Sequence, residues 1–281
     1  MTHNVQPKIA MINDISGFGR CSITVSLPVI SQLQVQCCPL PTSIFSNHTG
    51  YDSFYMEDFT HQMVPYIEEW RKLNLHFDGI CTGFLSSVEQ IDIVSSFIRS
   101  FKARDTIVIV DPVMGDDGAP YSTYTDEMCQ KMVELVRHAD IITPNLTEAC
   151  ILTGTPYHAG CTLREIRQIA EKLAGLGPSR IVITGISQKR YIANFVYVKD
   201  TGFCIRRTHC IGTERAGTGD IFSAIIAADA VNRVPFADSV GRASAFIKRC
   251  VSESIARNVP VTDGVCFEEI LHTLRPKRNR I

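Results

Sequence analysis

Four short segments combine chemically active residue types with a position at the end of a predicted strand or the start of a predicted helix. The most informative of them is GTGD at 217–220, which directly precedes an apolar helical run. Two glycines let the backbone approach a ligand, and the first N–H groups of a helix attract an anion such as phosphate. An ionised Asp220 beside that anion can take the proton of an attacking hydroxyl. The alternative is that Asp220 only caps the helix, and the tetrapeptide alone does not separate the two interpretations.

Two further segments offer oxygen ligands for cations and phosphate. DPVMGD, from Asp111 to Asp116, begins where the buried strand over 106–110 ends. Two carboxylates on such a loop can hold a hard cation, although a plain turn of Asp, Pro and Gly is the alternative. TPNLTE follows at 143–148, and its Asn145 and Glu148 have the spacing of a capping box. That spacing predicts a structural role, and a second role beside phosphate or metal-bound water stays open.

The fourth segment, FSNHTGY at 45–51, mixes aromatic, amide, imidazole and hydroxyl groups. Aromatic rings can cover the faces of a small flat ligand while hydroxyls bond its edge. An ordinary polar loop, in which His48 bonds to backbone groups, explains the same composition.

These segments need a scaffold, and the chain shows short β-branched runs alternating with longer helical patterns. Strands are predicted over 8–12, 35–45, 77–81, 106–110, 141–142 and 180–184, with an antiparallel pair over 191–198 and 202–209. Helices are predicted over 21–33, 56–72, 88–102, 127–137, 146–152, 162–176, 219–231, 236–257 and 267–274.

This alternation predicts an α/β three-layer sandwich, with a mainly parallel central sheet and helices on both faces. Ligands bind such sheets beyond the carboxyl ends of the strands, where the polar segments fall. No linker divides the chain, so we expect one domain over 1–281, with 275–281 as a flexible tail.

The composition and charge of the chain argue against several classes of protein. The chain has 281 residues and a formal net charge of −1, which gives it no reason to collect on nucleic acid or an anionic membrane. Its 11 cysteines include no C-x-x-C pair, which predicts neither a disulfide framework nor a structural zinc site and fits a reducing cytoplasm. The N-terminal residues lack the apolar core of a signal peptide, and no apolar run reaches membrane-spanning length.

Several catalytic motifs do not occur. The sequence contains no Walker A lysine after a glycine, no H-E-x-x-H and no G-x-S-x-G. The turn at Gly17 and Gly19 lacks the third glycine of a dinucleotide fingerprint. A P-loop ATPase, a zinc peptidase, an α/β-hydrolase and an NAD dehydrogenase are therefore disfavoured.

Taken together, the four segments resemble those of the ribokinase-like superfamily and, within it, the pyridoxal (pyridoxamine) kinases. FSNHTGY, DPVMGD, TPNLTE and GTGD occur in that family's order and approximate spacing, over nearly the whole chain. The resemblance implies a ribokinase-like fold, ATP as co-substrate, Mg²⁺ with a monovalent cation such as K⁺, and a homodimer. It implies phosphorylation of the 5′-hydroxymethyl group of pyridoxal, pyridoxine or pyridoxamine in pyridoxal 5′-phosphate salvage.

The resemblance also implies roles for residues on the phosphate side of the site. Asp220 corresponds to the base that deprotonates the 5′-hydroxyl. The residues that correspond to the anion hole are Gly217, Thr218 and Gly219. Those that correspond to contacts of Mg²⁺-ATP, largely through water, are Asp116 and Glu148, with Asn145 reaching the phosphates. Those that surround a monovalent cation in relatives match Asp111, Thr143 and Thr184.

On the vitamin side, the resemblance implies that Thr49 bonds the pyridine ring and that Tyr121 lies on the loop covering the site. The residues implied to shape the pocket are Phe45, His48, Tyr51 and Phe84. Asp14 departs from the family's pattern, because many pyridoxal kinases have a serine there that contacts the ring. A carboxylate can pair with a protonated pyridine nitrogen or a ring hydroxyl. The loop after Asp116 is also shorter than in animal relatives.

Two alternatives stay open at this point. A hydroxymethylpyrimidine kinase of thiamine synthesis shares the fold, but such enzymes commonly have cysteine in place of Asp220 and usually lack FSNHTGY. A non-catalytic B6-binding protein is the other alternative, against which the four intact motifs argue. A sugar or nucleoside kinase is disfavoured, because a helical pattern follows the first strand where those enzymes insert lid strands.

Overall fold

The computed structural model describes residues 5–275, and we label its elements in chain order. The strands are β1 (Lys8–Ser16), β2 (Gln36–Phe45), β3 (Met56–Asp58), β4 (Gly79–Thr82), β5 (Ile107–Val110), β6 (Gly115–Asp116), β7 (Ala119–Pro120), β8 (Ile141–Ile142), β9 (Arg180–Gln188), β10 (Tyr191–Val198) and β11 (Gly202–His209). The helices are α1 (Ile23–Gln32), α2 (Thr60–Lys72), α3 (Val88–Phe101), α4 (Asp126–Val136), α5 (Leu146–Thr153), α6 (Leu163–Leu176), α7 (Thr218–Val231) and α8 (Phe236–Ala256), and two 3₁₀ helices span Val261–Asp263 and Glu268–Leu274.

The large sheet has the strand order β11-β10-β9-β8-β5-β4-β1-β2-β3. The strands from β9 to β2 in that order run parallel, while β10, β11 and β3 pair antiparallel at the margins. The prediction of a mainly parallel sheet with an antiparallel pair near the end of the chain is confirmed. Because the inner strands run the same way, their carboxyl ends meet at one edge.

Helices cover both faces of this sheet, which produces two apolar cores. On the central strand β5, Val108 and Val110 point into one core, and Ile109 points into the other. One core packs against α2, α3, α4, α5 and α6, and the other against α1, α7 and α8. A strand covered on both faces has no polar alternation, which explains the uninterrupted apolar run at 107–110.

Some predicted boundaries are wrong. The helix predicted over 56–72 begins only at Thr60, because Met56–Asp58 pairs with β2 and the carboxylate of Asp58 accepts the N–H of Thr60 at 2.8 Å. The helix predicted over 267–274 is a 3₁₀ helix. The hairpin of β6 and β7 was not predicted, although Asp117-Gly118 with positive φ at both residues is a typical two-residue turn.

Of the tail predicted over 275–281, residues 276–281 lie outside the described residues. Between residues 5 and 275, none of the helices combines the length and the apolar character needed to cross a membrane.

Candidate active site

A cavity of about 1360 Å³ opens where the parallel strands end. It is larger than the roughly 300–1,000 Å³ typical of a site for one drug-sized ligand, so it has room for two substrates. Sixteen of the 17 residues singled out from the sequence line it. These are Asp14, Phe45, His48, Thr49, Phe84, Asp111, Asp116, Tyr121, Thr143, Asn145, Glu148, Thr184, Gly217, Thr218, Gly219 and Asp220.

Asp220 lies in the first turn of α7 and is half-buried, with access to the cavity. Its Oδ1 accepts a hydrogen bond from Nδ2 of Asn13 at 3.2 Å. Burial raises the pKa of Asp220, while the N–H of Ser22, the Asn13 amide and its own N–H oppose that rise. A carboxylate held in this way keeps its orientation, and a raised pKa makes it a better proton acceptor once ionised.

The loop before Asp220 brings backbone N–H groups to the same place. Gly217 is the N-cap of α7 with φ of 81°, and a Cβ there would lie 2.0 Å from the carbonyl oxygen of Arg20. Glycine is therefore required by both the backbone conformation and the close approach of the turn after β1. Ile221 makes the first N–H bond back to Gly217, so the N–H groups of Thr218 and Gly219 have no partner within the helix. They can bind an anion.

The turn after β1 supplies the other wall of this site. Arg20 and Ser22 both have positive φ, at 49° and 58°, which is uncommon for residues with a Cβ. This strained turn places the Ser22 N–H on the Asp220 carboxylate. Strain of this kind is concentrated at functional sites, where the surrounding structure enforces it.

Asp14 is buried beside this turn, with 5% of its surface exposed. Its Oδ2 accepts a hydrogen bond from Oγ of Ser16 at 3.1 Å. Burial raises the pKa of Asp14 to about 6, and the negative charge of Asp220 adds to the rise, whereas hydroxyls of Ser22 and Ser16 oppose it. Two carboxylates thus face one cavity from neighbouring elements.

A second group of oxygen ligands surrounds Asp111 at the end of β5. Its Oδ2 accepts the Oγ–H of Ser223 at 2.5 Å, and Oγ1 of Thr143 lies 3.2 Å from the same Ser223 oxygen. Burial raises the pKa of Asp111 to about 7, and Asp220 adds to this, while the hydroxyls of Ser223 and Thr143 lower it. Thr184 follows on β9, where its N–H donates to the carbonyl of Pro144 at 2.9 Å.

The capping box predicted at 145–148 is present. Asn145 Oδ1 accepts the N–H of Glu148 at 2.9 Å, and Glu148 Oε2 accepts the N–H of Asn145 at 2.8 Å. The other Glu148 oxygen accepts the N–H of Met114 at 3.2 Å. Burial raises the pKa of Glu148 well above its usual range, and the charge of Asp111 adds to this, although both N–H groups oppose it.

The hairpin of β6 and β7 rests on this helix start. Asn145 Nδ2 donates to the carbonyl of Gly115 at 2.8 Å, and Thr147 Oγ1 accepts the N–H of Gly118 at 2.9 Å. Asp116 is half-exposed on this hairpin, and Tyr121 follows it on the cavity wall with 43% of its surface exposed. The capping box therefore holds in place the short loop predicted to cover the site.

The opposite end of the cavity is aromatic. The Phe45 ring lies 6.1 Å from that of Phe84 and 5.8 Å from that of Phe54, measured between centroids. Thr49 is exposed to the cavity from the loop after β2. Such rings, with a hydroxyl beside them, suit one flat ligand with a polar edge.

Tyr51 is the one singled-out residue that does not line the cavity. Its ring lies 4.7 Å from that of His48, and its hydroxyl donates to Asp263 at 2.9 Å. His48 Nδ1 accepts the N–H of Gly50 at 3.0 Å, so Nε2 carries the proton and donates to the carbonyl of Thr262 at 2.7 Å. Tyr51 therefore supports the pocket from behind His48.

Residues 259–264, which we call the strap, connect the two ends of the cavity. Besides His48 and Tyr51, the buried Arg215 binds the strap, through the carbonyls of Val259, Pro260 and Gly264 at 2.9–3.2 Å. Arg215 lies two residues before Gly217. The strap thus contacts both the anion-binding loop, which carries Arg215 and Gly217, and the loop after β2, which carries His48 and Tyr51. It holds the two loops in a fixed relative position.

Four residues of the site were missed from the sequence: Asn13, Ser22, Arg215 and Ser223. Ser223 follows Asp220 by three residues, so helical spacing places both on one face and could have identified it. Asn13 was detectable as a polar residue beside Asp14 in an otherwise apolar strand. The strained backbone at Ser22 and the contacts of Arg215 with a segment some 45 residues later gave no local signal.

Several known proteins are similar to this chain in sequence and in fold. Residues 23–263 match the phosphomethylpyrimidine kinase family model. A candidate phosphomethylpyrimidine kinase from Bacteroides thetaiotaomicron has been solved in two crystal forms, and the orthorhombic form contains pyridoxal. Its rhombohedral form has a TM-score of 0.95 and 36% identity to this chain, and the match covers 98% of this chain and 96% of that one. The pyridoxal kinase of Lactobacillus plantarum has a TM-score of 0.89 and 27% identity over 96% of this chain and 97% of its own.

Among curated relatives, the pyridoxal kinase PdxY of Leifsonia xyli subsp. xyli is 27% identical over 257 residues, which are 87% of this chain and 86% of that protein. The match to the family model spans most of the chain, and the two solved structures share its fold over nearly its whole length. The chain therefore belongs to the phosphomethylpyrimidine kinase family, alongside the pyridoxal kinases of ribokinase-like fold.

Proposed function

We propose that this protein is a pyridoxal kinase, which transfers the terminal phosphate of ATP to the 5′-hydroxymethyl group of pyridoxal, pyridoxine or pyridoxamine. The observation that carries the proposal is the position of Asp220. It faces a cavity with an anion-binding helix start beside it and an aromatic, hydroxyl-bearing pocket at the other end. The pyridoxal-bound relative and the curated pyridoxal kinases support the choice of substrate.

In this proposal Asp220 accepts the proton of the 5′-hydroxyl as its oxygen attacks the terminal phosphorus. The bond from phosphorus to the bridging oxygen of ATP breaks, and ADP leaves with that electron pair. The N–H groups of Thr218 and Gly219, with the close-approaching Gly217, stabilise the charge on the transferring group. Asn13 and Ser22 keep the Asp220 carboxylate oriented toward the cavity.

We further propose that Mg²⁺ and a monovalent cation such as K⁺ complete the phosphate end. The donor set fits hard cations, because it consists of carboxylate and hydroxyl oxygens. Asp116 and Glu148 would hold Mg²⁺-ATP, and Glu148 would do so through water because both of its oxygens already accept N–H groups. Asn145 would reach the phosphates. The residues assigned to the monovalent cation are Asp111, Thr143 and Thr184.

When bound, these cations neutralise phosphate charge. Asp111 and Glu148, whose pKa values are raised by burial and by a neighbouring carboxylate, would then be stabilised in their ionised forms.

At the vitamin end, we assign the pyridine ring to the pocket of Phe45, Phe84 and Thr49, with His48 beside it and Tyr121 on the covering loop. Asp14 would face the ring's polar edge and favour a substrate that carries a proton or a hydroxyl there. We also propose that the chain acts as one cytoplasmic domain and assembles as a homodimer.

A substrate panel tests the proposal. ADP release is measured with pyridoxal, pyridoxine, pyridoxamine and hydroxymethylpyrimidine, and each substrate is scored by kcat/KM. We expect a B6 compound to give the highest value. A higher value for hydroxymethylpyrimidine would assign the protein to thiamine synthesis, and tight pyridoxal binding without any ADP release would identify a binding protein.

A further inference from the structure

Three different ligand types meet in the connection between α5 and α6. Nε2 of His158 lies 3.5 Å from Sγ of Cys161 and 3.3 Å from Oε1 of Glu165. The three ligand atoms all lie within 4.8 Å of one another. None of these residues lines the cavity.

These distances match the edges of a tetrahedral zinc site. With Zn–N of about 2.05 Å, Zn–S of about 2.3 Å and Zn–O of about 2.1 Å, tetrahedral angles give an N–S edge of about 3.5 Å and an N–O edge of about 3.4 Å. The observed separations agree with both. An ion pair between imidazole and carboxylate accounts for the His158–Glu165 distance, and a weak thiol–imidazole hydrogen bond accounts for the His158–Cys161 distance. One metal ion accounts for both distances at once.

The local fold explains why Glu165 faces the other two residues. Thr162 is the N-cap of α6, and its N–H and Oγ1–H both donate to Oε2 of Glu165 at 2.7 Å. This capping box leaves Oε1 directed at His158. Carboxylates that bind metal are commonly oriented by such outer hydrogen bonds.

We propose that His158, Cys161 and Glu165 form a binding site for one zinc-class divalent cation, with water as the fourth ligand. A thiolate and a carboxylate together balance the charge of the ion. Binding displaces the thiol proton of Cys161 to solvent as the metal–sulfur bond forms, and no oxidation or reduction is involved. All three residues are at least partly accessible to solvent, which gives the ion a path to the site.

The site would act on the wall of the active-site cavity. Tyr157 and Ala159, from the same connection, line that cavity. The Tyr157 ring also packs on the turn of the β6–β7 hairpin, where a Cβ on Gly118 would lie 2.5 Å from it. A bound ion would therefore fix the loop that carries this wall.

The mixed ligand set explains why the sequence did not indicate the site. C-x-x-C pairs are typical of cysteine-rich zinc sites, whereas here each ligand is a different residue type. The spacing H-x₂-C-x₃-E becomes meaningful only when the loop is folded back onto the first turn of α6.

The test is a titration of the full chain with Zn²⁺ alone, by calorimetry in two buffers of different ionisation enthalpy, so that proton release is counted. We expect one equivalent to bind with release of about one proton. Co²⁺ should give a thiolate-to-cobalt charge-transfer band. Cys161→Ser should abolish that band and weaken Zn²⁺ binding by at least about 100-fold.

Two further variants separate loss of the metal site from loss of the fold. Glu165→Gln retains an acceptor for the capping box, so it should fold normally and still lose affinity. Cys129→Ser removes a partly buried thiol elsewhere, on α4, and should bind Zn²⁺ as the wild type does. Binding by Cys161→Ser or Glu165→Gln with wild-type affinity would overturn the proposal, as would a wild type that binds no more tightly than Cys161→Ser.

Discussion

The two ends of the active-site cavity differ in how they are built. At the phosphate end, burial raises the pKa values of Asp111, Glu148 and Asp220, and the charge of a neighbouring carboxylate adds to the rise at Asp111 and Glu148. At the vitamin end, Phe45 and Phe84 present aromatic surface, and Thr49 provides a hydroxyl without a charge.

This difference shows where each kind of specificity arises. The phosphate end is electrostatically unfavourable by itself, because it buries several carboxylates together, and the proposed cations would relieve this when they bind with the nucleotide. The proposed vitamin end needs no ion, and we expect it to select its ligand by shape and by a few hydrogen bonds. The charge of Asp220 contributes to the raised pKa of Asp14, so Asp14 belongs electrostatically to the charged group, although the resemblance places it against the vitamin.

Removing the catalytic carboxylate should have the largest effect. We expect Asp220→Ala to lower kcat by about a thousandfold or more, because the attacking hydroxyl loses its base. The matched control is Asp238→Ala, which removes an exposed carboxylate from the first turn of α8 and should leave kcat unchanged. ADP release under saturating substrates measures both. Wild-type turnover by Asp220→Ala would show that Asp220 is not the catalytic base and that the phosphate end does not depend on its charge for catalysis.

The backbone of the phosphate end should be the next most sensitive feature. We expect Gly217→Ala to lower the free energy of unfolding by about 3 kcal/mol, because its Cβ would lie 2.0 Å from the Arg20 carbonyl at a positive φ. In Gly219→Ala the added Cβ meets nothing within 4 Å among the described residues. That variant should keep its stability, as measured by urea denaturation. Equal stability losses in the two variants would contradict the steric argument.

The charge of Asp14 should appear as a pH dependence of stability. Its pKa is about 6 in the folded protein against 3.8 ordinarily, so the native state binds the proton more tightly and loses stability as pH rises from about 4 to about 6. Asp14→Asn removes this loss. At 1.36 kcal/mol per pKa unit, we expect the variant to be more stable than wild type by up to about 3 kcal/mol above pH 7.

The measurement is urea unfolding of both proteins at several pH values, with the difference expected to disappear near pH 4. A difference that is constant with pH would show that Asp14 has the same pKa in the folded and the unfolded protein, which would contradict the raised pKa. The same variant, assayed with the three B6 compounds, shows whether the carboxylate sets their order of preference.

The smallest effect is expected at the uncharged end. Thr49→Val should raise the KM for pyridoxal about tenfold and leave the KM for ATP unchanged, since one hydrogen bond to the ring is lost. Thr49→Ser, which keeps the hydroxyl, is the control and should behave as wild type. A larger change in the KM for ATP than for pyridoxal would place Thr49 at the other end of the cavity.

Most of the fold followed from patterns along the chain, because a parallel sheet covered on both faces requires apolar runs between helical periods. The run at 107–110 and the pair Tyr191–Val198 with Gly202–His209 were predicted with nearly the correct bounds. Met56–Asp58 was not, because three residues at a sheet margin carry no periodicity of their own. The capping box at Asn145 was predicted because it is a local interaction.

The site was predictable where a chemical role is held by a local motif, and less so where it depends on distant contacts. GTGD placed Asp220 at the start of α7 in the cavity. Tyr51, in contrast, was assigned to the pocket by the family resemblance, but its hydrogen bond to Asp263, more than 200 residues away, turns it to a supporting position. Arg215 and Ser22 were missed for the same reason.

The strap has one further consequence. His48 cannot swing away from the cavity without breaking its bond to Thr262, and a displaced strap would cost Arg215 its carbonyl partners next to the anion-binding loop. Opening of the cavity at the His48 end is thus opposed by the bonds of Arg215 at the phosphate end. Whichever substrate arrives first would steady the receptor for the second, and linkage requires the benefit to be mutual.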